Sequence, residues 1–161
     1  MITIRKAEPK DVEKILFFIR ELAIYEKAEH EVIATPEQIH SVLFSETAHC
    51  SALMAFWDDE CVGFALYFFN FSTWLGLPGL YLEDLYVTPE ARRNGIGKAL
   101  LQNLALIAKE RNCGRFEWSV LDWNQPAIDF YESLSAEAQS EWTIYRMNKS
   151  AIKHLAESIK D

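Results

Sequence analysis

The chain has 161 residues, of which 50% are hydrophobic, and its formal net charge is -8. This length suits one globular domain, residues 1–161, that buries its own core. The acidic charge would repel nucleic-acid phosphates over most of the surface and favours a cationic partner. The N-terminal stretch lacks an apolar signal region, and the longest apolar runs are too short for a bilayer span. We therefore expect a cytoplasmic protein that binds neither nucleic acid nor membrane.

The spacing of cysteines and histidines does not indicate a metal site. Cys50, Cys61 and Cys113 form no C-x-x-C pair, and the four histidines form no H-E-x-x-H pattern. An odd number of cysteines also provides no disulfide framework. We predict no bound metal, and we expect the cysteines to be small core residues.

Two helices are predicted near the N-terminus, after a short strand at residues 2–5. The run Glu8-Pro9-Lys10-Asp11 carries a proline and acids where a helix begins, and an apolar face then continues to about Tyr25. A second, shorter helix covers residues 35–43, and its first residue is a threonine cap. The polar residues 25–31 between the two helices predict an exposed connection.

Three strands are predicted next. Residues 51–57 and 61–71 alternate with a period of two around an acidic turn, which is typical of a hairpin. The third strand, residues 80–87, alternates with a break in phase, because its first leucines and its later residues Leu85 and Val87 hold opposite phases. The break falls at two acids, Glu83 and Asp84, and predicts a β-bulge with unpaired main-chain N–H groups beside two carboxylates.

A polar loop with two arginines and two glycines follows the third strand. It reads Arg92-Arg93-Asn94-Gly95-Ile96-Gly97-Lys98 and precedes an amphipathic helix that ends near Cys113-Gly114. Free N–H groups at such a helix start, together with the helix dipole, bind phosphate. A Walker loop would need a glycine at Arg92, and a dinucleotide fingerprint would need one at Leu100, so both motifs fail.

The C-terminal part contributes two further strands and two further helices. Residues 115–121 are rich in β-branched and aromatic residues and predict a strand. Asn124 and Pro126 start a helix in which Tyr131 shares the apolar face, so that spacing alone places Tyr131 in the core. Residues 141–147 predict a final strand, and residues 150–159 predict a short helix with Ile152 and Leu155 turned inward.

The pattern Arg-x-x-Gly-x-Gly at residues 92–97, between a bulged strand and a helix, resembles the coenzyme A pyrophosphate loop of the GCN5-related N-acetyltransferases (GNAT). The order of elements, β-α-α-β-β-β-α-β-α-β plus a short C-terminal helix, extends the resemblance over most of the chain. It implies an α/β (α+β) fold whose mixed, mostly antiparallel central sheet carries helices on both faces. It also implies acetyl-CoA as co-substrate. The residues that it places at the coenzyme are Leu85, Tyr86, Val87, Arg92, Arg93, Asn94, Gly95, Ile96, Gly97, Lys98, Asn124, Pro126 and Tyr131.

Within this family the chain is most similar to the diamine acetyltransferases of the spermidine/spermine type and their thialysine-acetylating relatives. The matching segments are residues 21–26, 72–76, 80–87 and 120–125. The spermidine enzymes carry an acid where this chain has Ser72, and a lysine is expected where it has Ile24. The resemblance therefore favours a lysine-like or short diamine substrate over long polyamines.

Candidate catalytic groups follow from the chemistry of amine acetylation. An aliphatic amine has a pKa near 10.4, so a base must take its proton at neutral pH, and Glu83 at the bulge is our candidate, directly or through a water. Asp84 would hold the incoming cation. An N–H group near Leu85 would stabilise the oxyanion. The resemblance makes Tyr131 the acid that reprotonates the thiolate. No residue is a candidate covalent nucleophile, so we expect direct transfer in a ternary complex.

The resemblance places Tyr25, Glu26 and Trp74 at the amine site. The carboxylate would pair with a distal ammonium, and the rings would offer cation–π contacts. The alternatives are that Glu26 is a solvated loop acid and that Trp74 is a buried turn anchor or a dimer contact. Relatives are homodimers, and the apolar run 66–74 could supply an interface.

Two other functions remain open from the sequence. One is acetylation of a protein lysine or N-terminus, which would need an open groove for a peptide. The other is a non-catalytic module that binds acyl-coenzyme A, which the presence of both Glu83 and Tyr131 disfavours.

Overall fold

The computed structural model describes residues 1–159. The chain forms two compact units, Met1–Leu121 and Asp122–Asp161. The first unit contains a sheet of five strands in the order β1-β2-β3-β4-β5. Neighbouring strands are antiparallel except for the parallel pair of β4 and β5. The strands are β1 (Ile2–Lys6), β2 (Ser51–Trp57), β3 (Glu60–Ser72), β4 (Leu77–Val87) and β5 (Arg115–Trp118).

Among residues 1–159, three α-helices accompany this sheet in the first unit, and two belong to the second unit. Those of the first unit are α1 (Val12–Tyr25), α2 (Pro36–Phe44) and α3 (Ile96–Glu110), and those of the second are α4 (Gln125–Ser133) and α5 (Lys149–Glu157). Thr35 caps α2 as predicted, because its hydroxyl accepts a hydrogen bond from the Gln38 N–H while the Gln38 side chain accepts one from the Thr35 N–H.

Helices cover both faces of the sheet. Helices α1 and α2 pack on one face, in a core cluster with Met54, Phe64 and Tyr86. The strand residues of the opposite phase, among them Leu53, Ala65 and Leu80, are also buried. Helix α3 contacts all five strands and contributes its own buried leucines, so it covers this second face. The mixed, mostly antiparallel sheet with helices on both faces is therefore confirmed.

The hairpin of β2 and β3 also forms as predicted. Asp58 and Asp59 both have positive φ angles, of 48° and 69°. A two-residue turn with both central residues in this region has the twist that a tight hairpin needs, and aspartate tolerates it better than most side chains.

The predicted final strand at residues 141–147 is wrong. Over the described residues this segment pairs with no strand, and its apolar side chains are exposed, with Trp142 at 68%. An alternating pattern shows that a segment suits a sheet face, but a strand exists only where a neighbour supplies the ladder bonds. The inward packing predicted for Ile152 and Leu155 is also wrong, since both side chains are exposed on α5.

None of the described helices combines the length and the hydropathy that crossing a membrane requires. Within residues 1–159, no group of three or more His, Cys, Asp and Glu side chains is placed to hold a metal ion. The three cysteines are free and half-buried.

Candidate active site

The centre of the candidate site is a β-bulge in β4. Leu66 of β3 pairs with Asp84, but the next residue of β3, Tyr67, pairs with Leu82. Glu83 is therefore the extra residue, and the bulge predicted from the broken alternation is confirmed. Because of this insertion, the apolar residues on both sides of the bulge keep facing α3, whereas Asp84 points to the α1 face.

Three carboxylates gather at this bulge. The pKa of Asp84 is raised to about 6 from an ordinary value of 3.8, first by burial and then by the charges of Glu83 and Glu26. Glu26 directly follows the last residue of α1, and burial raises the pKa of its carboxyl as well. Glu83 is exposed. The end of α1 and the bulge of β4 thus bring three carboxylates near one another, an arrangement that is suited to a cation.

The loop after β4 carries the arginines of the motif. Arg92 donates from Nε to the carbonyl of Val87 over 2.9 Å. Its guanidinium carbon lies 5.3 Å from the centre of the Tyr25 ring and 5.6 Å from that of the Tyr86 ring. The Asn94 side chain donates to the carbonyls of Ala91 and Arg92, which holds the loop in a tight turn.

The start of α3 offers N–H groups to an anion. The first backbone bond at the helix start runs from the Ala99 N–H to the Gly95 carbonyl, so the N–H groups of Ile96, Gly97 and Lys98 have no acceptor within the helix. Gly95 has a φ of 82°, a conformation that glycine adopts at little cost. The helix dipole adds partial positive charge at this end. These groups fit a pyrophosphate.

Gly97 gives a second indication of a ligand at this loop. It lies in the first turn of α3 without the positive φ that would require glycine, and a Cβ built on it would meet no atom within 4 Å. Neither the backbone conformation nor packing within the protein therefore explains a glycine here. Close approach of a bound group to the main chain does explain it.

Trp74 lies away from the carboxylates within the first unit. It occupies the turn before Leu77, and Glu83 lies six positions after Leu77 along the strand, a distance of roughly 20 Å at 3.3 Å per residue. Its ring is 79% exposed and lies 5.7 Å from the guanidinium carbon of Arg115. The strand geometry does not bring Trp74 to the bulge.

The second unit contains the remaining predicted site residues, all at or near α4. Asn124 caps this helix, since its side chain accepts from the Ala127 N–H at 3.4 Å, and Pro126 lies in the first turn. Tyr131 is half-buried, with its ring 5.7 Å from that of Phe130. After α4, Ser135 takes a positive φ of 67°, the position where a glycine is usual.

Two residues near the site were not singled out for their side chains in the sequence. Tyr86 is 4% exposed and its ring faces Arg92, whereas the resemblance had placed Tyr86 only among the residues at the coenzyme. Burial raises the pKa of Tyr86 first, and the charge of Glu21 raises it further. Glu21 lies one helical turn before Tyr25. That spacing puts the two residues on one face of α1 and is the sequence signal that could have identified Glu21.

The chain is similar in sequence to known acetyltransferases. The sequence profile of the acetyltransferase (GNAT) family matches residues 16–135. The chain is 38% identical over 166 residues to the thialysine N-epsilon-acetyltransferase of Bos taurus, with 96% of this chain and 97% of that protein covered. It is 29% identical over 195 residues to the L-ornithine N5-acetyltransferase NATA1 of Arabidopsis thaliana, with 93% and 86% covered.

A solved structure shows the same architecture. It is an integron cassette protein from the mobile metagenome of V. cholerae, with a TM-score of 0.80, 28% sequence identity and 98% of both chains covered. The family match covers more than half of the chain and includes the bulged strand and the phosphate loop. The chain therefore belongs to the acetyltransferase (GNAT) family and is an N-acetyltransferase that uses acetyl-CoA as acetyl donor.

Proposed function

We propose that this enzyme acetylates the distal primary amine of a lysine-like, thialysine-like or short diamine substrate, by direct attack in a ternary complex. The observation that carries the proposal is the cluster of Glu26, Glu83 and Asp84 at the bulge, where burial and then the charges of Glu83 and Glu26 raise the pKa of Asp84. A substrate ammonium would relieve this repulsion. The names of the two relatives described above, which act on thialysine and ornithine, support an amino acid with a distal amine.

Each carboxylate has a distinct proposed role. Glu83 is exposed on the bulge and takes the proton of the amine, directly or through a water. Asp84 is less exposed than Glu83 and holds the substrate cation. Glu26, together with the Tyr25 ring, pairs with an ammonium group of the substrate. When bound, acetyl-CoA supplies a thioester whose carbonyl the amine attacks. N–H groups near Leu85 stabilise the negative charge that develops on the carbonyl oxygen.

Tyr131 is proposed as the acid that protonates the departing thiolate. A phenol with an ordinary pKa near 10 stays protonated at pH 7 and can donate to a thiolate. The support is the match of Tyr131 to the tyrosine of the family.

For the coenzyme, we propose that Leu85, Tyr86 and Val87 line one side through their main chain and that the loop 92–98 holds the pyrophosphate. On the resemblance to the family, we also propose Asn124, Pro126 and Tyr131 as coenzyme-binding residues. The whole of residues 1–161 would then act as one catalytic domain, which the family match across the border of the two units supports.

Acetylation of a protein lysine or N-terminus is the second candidate. No feature of the described residues favours it over a small amine, whereas the acid cluster favours a compact cation. Membership of the N-acetyltransferases removes the third candidate, a non-catalytic acyl-coenzyme A module.

We also propose a homodimer. Phe71 and Trp74 are 64% and 79% exposed, and they adjoin Phe69 and Leu75, which are also exposed. Together these four residues, the hairpin-tip patch, form an apolar surface of the kind that marks protein interfaces. Trp74, which lies far from the bulge, would then serve as a dimer contact, while its predicted role in amine binding stays a prediction.

The roles of Glu83 and Tyr131 are tested by steady-state kinetics with acetyl-CoA and thialysine across pH. Glu83→Gln should shift the rate profile to higher pH, because more of the amine must then be deprotonated before it binds. Tyr131→Phe should slow turnover by about 10²-fold or more while coenzyme binding is retained. An unaltered profile would remove Glu83 as the base, and unchanged turnover would remove Tyr131 as the acid.

A further inference from the structure

The first arginine of the phosphate loop is held against the protein. Its Nε donates to the carbonyl of Val87, the last residue of β4, over 2.9 Å. Its guanidinium also lies near two rings, those of Tyr25 and Tyr86. Arg92 therefore connects the phosphate loop to the end of β4 and to the end of α1 at once.

These contacts use different parts of the arginine. A guanidinium is planar and carries five N–H donors in a fixed fork, so it can stack on rings while its edge donates hydrogen bonds. Nε donates to Val87, and the side chain also hydrogen-bonds Tyr86, so the guanidinium keeps further N–H donors that would serve an anion bound at the loop. An anion that binds the N–H donors of the Arg92 guanidinium would also fix the orientation of this planar group over the Tyr25 ring.

The Tyr25 ring leads directly to the acid cluster. Tyr25 is the last residue of α1, and the next residue, Glu26, raises the pKa of Asp84 by its charge. The end of α1 is closed by three backbone bonds, from the N–H of Glu26 to Leu22, of Lys27 to Ile24 and of Ala28 to Ala23, at 2.8 to 3.0 Å. A change in the order of Tyr25 would be felt at these bonds and at the Glu26 carboxylate.

We propose that Arg92 is a positioning residue that couples coenzyme binding to the amine site, through its cation–π contact with Tyr25. The inference rests on the proposed function for the identity of the amine, but its first step, from loop to helix end, does not need an amine. Coupling of this kind is reciprocal, so bound amine also tightens the binding of coenzyme. It would favour the ternary complex over either binary complex.

The first test measures hydrogen exchange of the amides of Glu26, Lys27 and Ala28 with and without coenzyme A. Coenzyme A should slow their exchange about five-fold in the wild-type protein, the size expected when a cation–π contact at an exposed site becomes fixed. In Arg92→Lys, which keeps the charge but loses the planar stack, the slowing should disappear at saturating coenzyme A. Arg93→Lys is the matched contrast, because it should weaken coenzyme binding and still keep the slowing.

A second pair of variants tests the same contact from the helix side. Tyr25→Phe keeps the ring and should retain the slowing, whereas Tyr25→Leu should lose it even if Arg92→Lys fails to fold. Equal slowing in the wild type, Arg92→Lys and Tyr25→Leu, or no slowing in the wild type, would overturn the proposal.

Calorimetry with coenzyme A and thialysine then tests the step to the amine. In the wild type, each ligand should bind about five-fold more tightly when the other is present, and Arg92→Lys should reduce this factor to about one. If thialysine does not bind at all while the exchange effect is present, the substrate proposal fails and the role of Arg92 as a link to α1 stands. If both ligands bind with no mutual effect, the coupling to the amine site is wrong.

Discussion

The surroundings of Asp84 disfavour its ionised form. Asp84 is half-buried on the α1 face of the sheet, and the charges that act on it, those of Glu83 and Glu26, are also negative. A structural carboxylate would normally be exposed or paired with a cation. The position of the Asp84 carboxylate is therefore better explained by a role in binding a cationic substrate than by a contribution to stability.

Removing this charge should stabilise the free enzyme at neutral pH. The rise in the pKa of Asp84, by about two units, means that its ionised form destabilises the folded state at pH 8 by at most about 3 kcal/mol. Asp84→Asn should raise the free energy of unfolding by up to that amount at pH 8, as measured by urea denaturation. Turnover with thialysine should fall in the same variant.

The increase in the free energy of unfolding in Asp84→Asn should be larger at high pH than at low pH. Because the folded pKa of Asp84 lies above its unfolded value, its contribution to stability is full below about pH 4 and is lost as the pH rises through 6. The wild type and Asp84→Asn should therefore have nearly equal stability at pH 4. A difference that stays the same from pH 4 to pH 8 would show that charge is not its cause.

At the scale of elements, the start of α3 is shaped for a ligand at a small cost to the helix. Gly97 has no conformational or packing requirement for glycine, and glycine in a helix costs roughly 0.5 to 1 kcal/mol relative to alanine. Gly97→Ala should raise the free energy of unfolding by up to about that amount. It should also weaken coenzyme A binding by about tenfold, because the added methyl group occupies the space next to the phosphates.

Gly95 provides the contrast for this prediction. Its φ of 82° makes a side chain strained at that position, so Gly95→Ala should lower stability by about 1 kcal/mol. Calorimetry with coenzyme A and thermal denaturation on both variants would check the pair. Unchanged coenzyme affinity in Gly97→Ala would mean that the phosphates do not approach this residue.

Some secondary-structure elements could be predicted from the sequence, and others could not. The bulge could be predicted because one inserted residue leaves a visible break in alternation, and the hairpin could be predicted because its turn residues are local. The final strand at residues 141–147 could not be judged locally. Its pattern is that of a strand, but the ladder bonds depend on a neighbour that no local pattern identifies.

At the scale of the molecule, the sequence supplied the components of the site better than their arrangement. The loop 92–98 and the two acids at the bulge stand on contiguous segments and could be found from motifs. The approach of Glu26 to Asp84, and of Tyr25 to Arg92, depends on how α1 packs across β4, which no motif encodes. Trp74 was placed at the amine site by the resemblance alone; it lies in the turn before β4, and its role in amine binding stays a prediction.

The hairpin-tip patch should hold two copies of the chain together. Light scattering in solution should give twice the chain mass of 18.6 kDa for the wild type. Phe71→Glu should shift the mass toward that of a monomer, since it places a charge in an apolar interface. Ile33, 87% exposed in another part of the chain, provides the control, and Ile33→Glu should remain dimeric. A monomeric wild type, or a dimeric Phe71→Glu, would remove this surface as the interface.

The acid cluster at the bulge is proposed to select a small molecule with a distal amine. The most direct test incubates the enzyme with acetyl-CoA and, in separate reactions, thialysine, lysine, ornithine, putrescine, spermidine and a lysine-containing peptide. Thiol release and the acetylated position, read by mass spectrometry, are both measured. We predict the fastest release with thialysine or a similar amino acid, with acetyl on the distal nitrogen. Preferential acetylation of the peptide, or of the α-amine, would contradict the account.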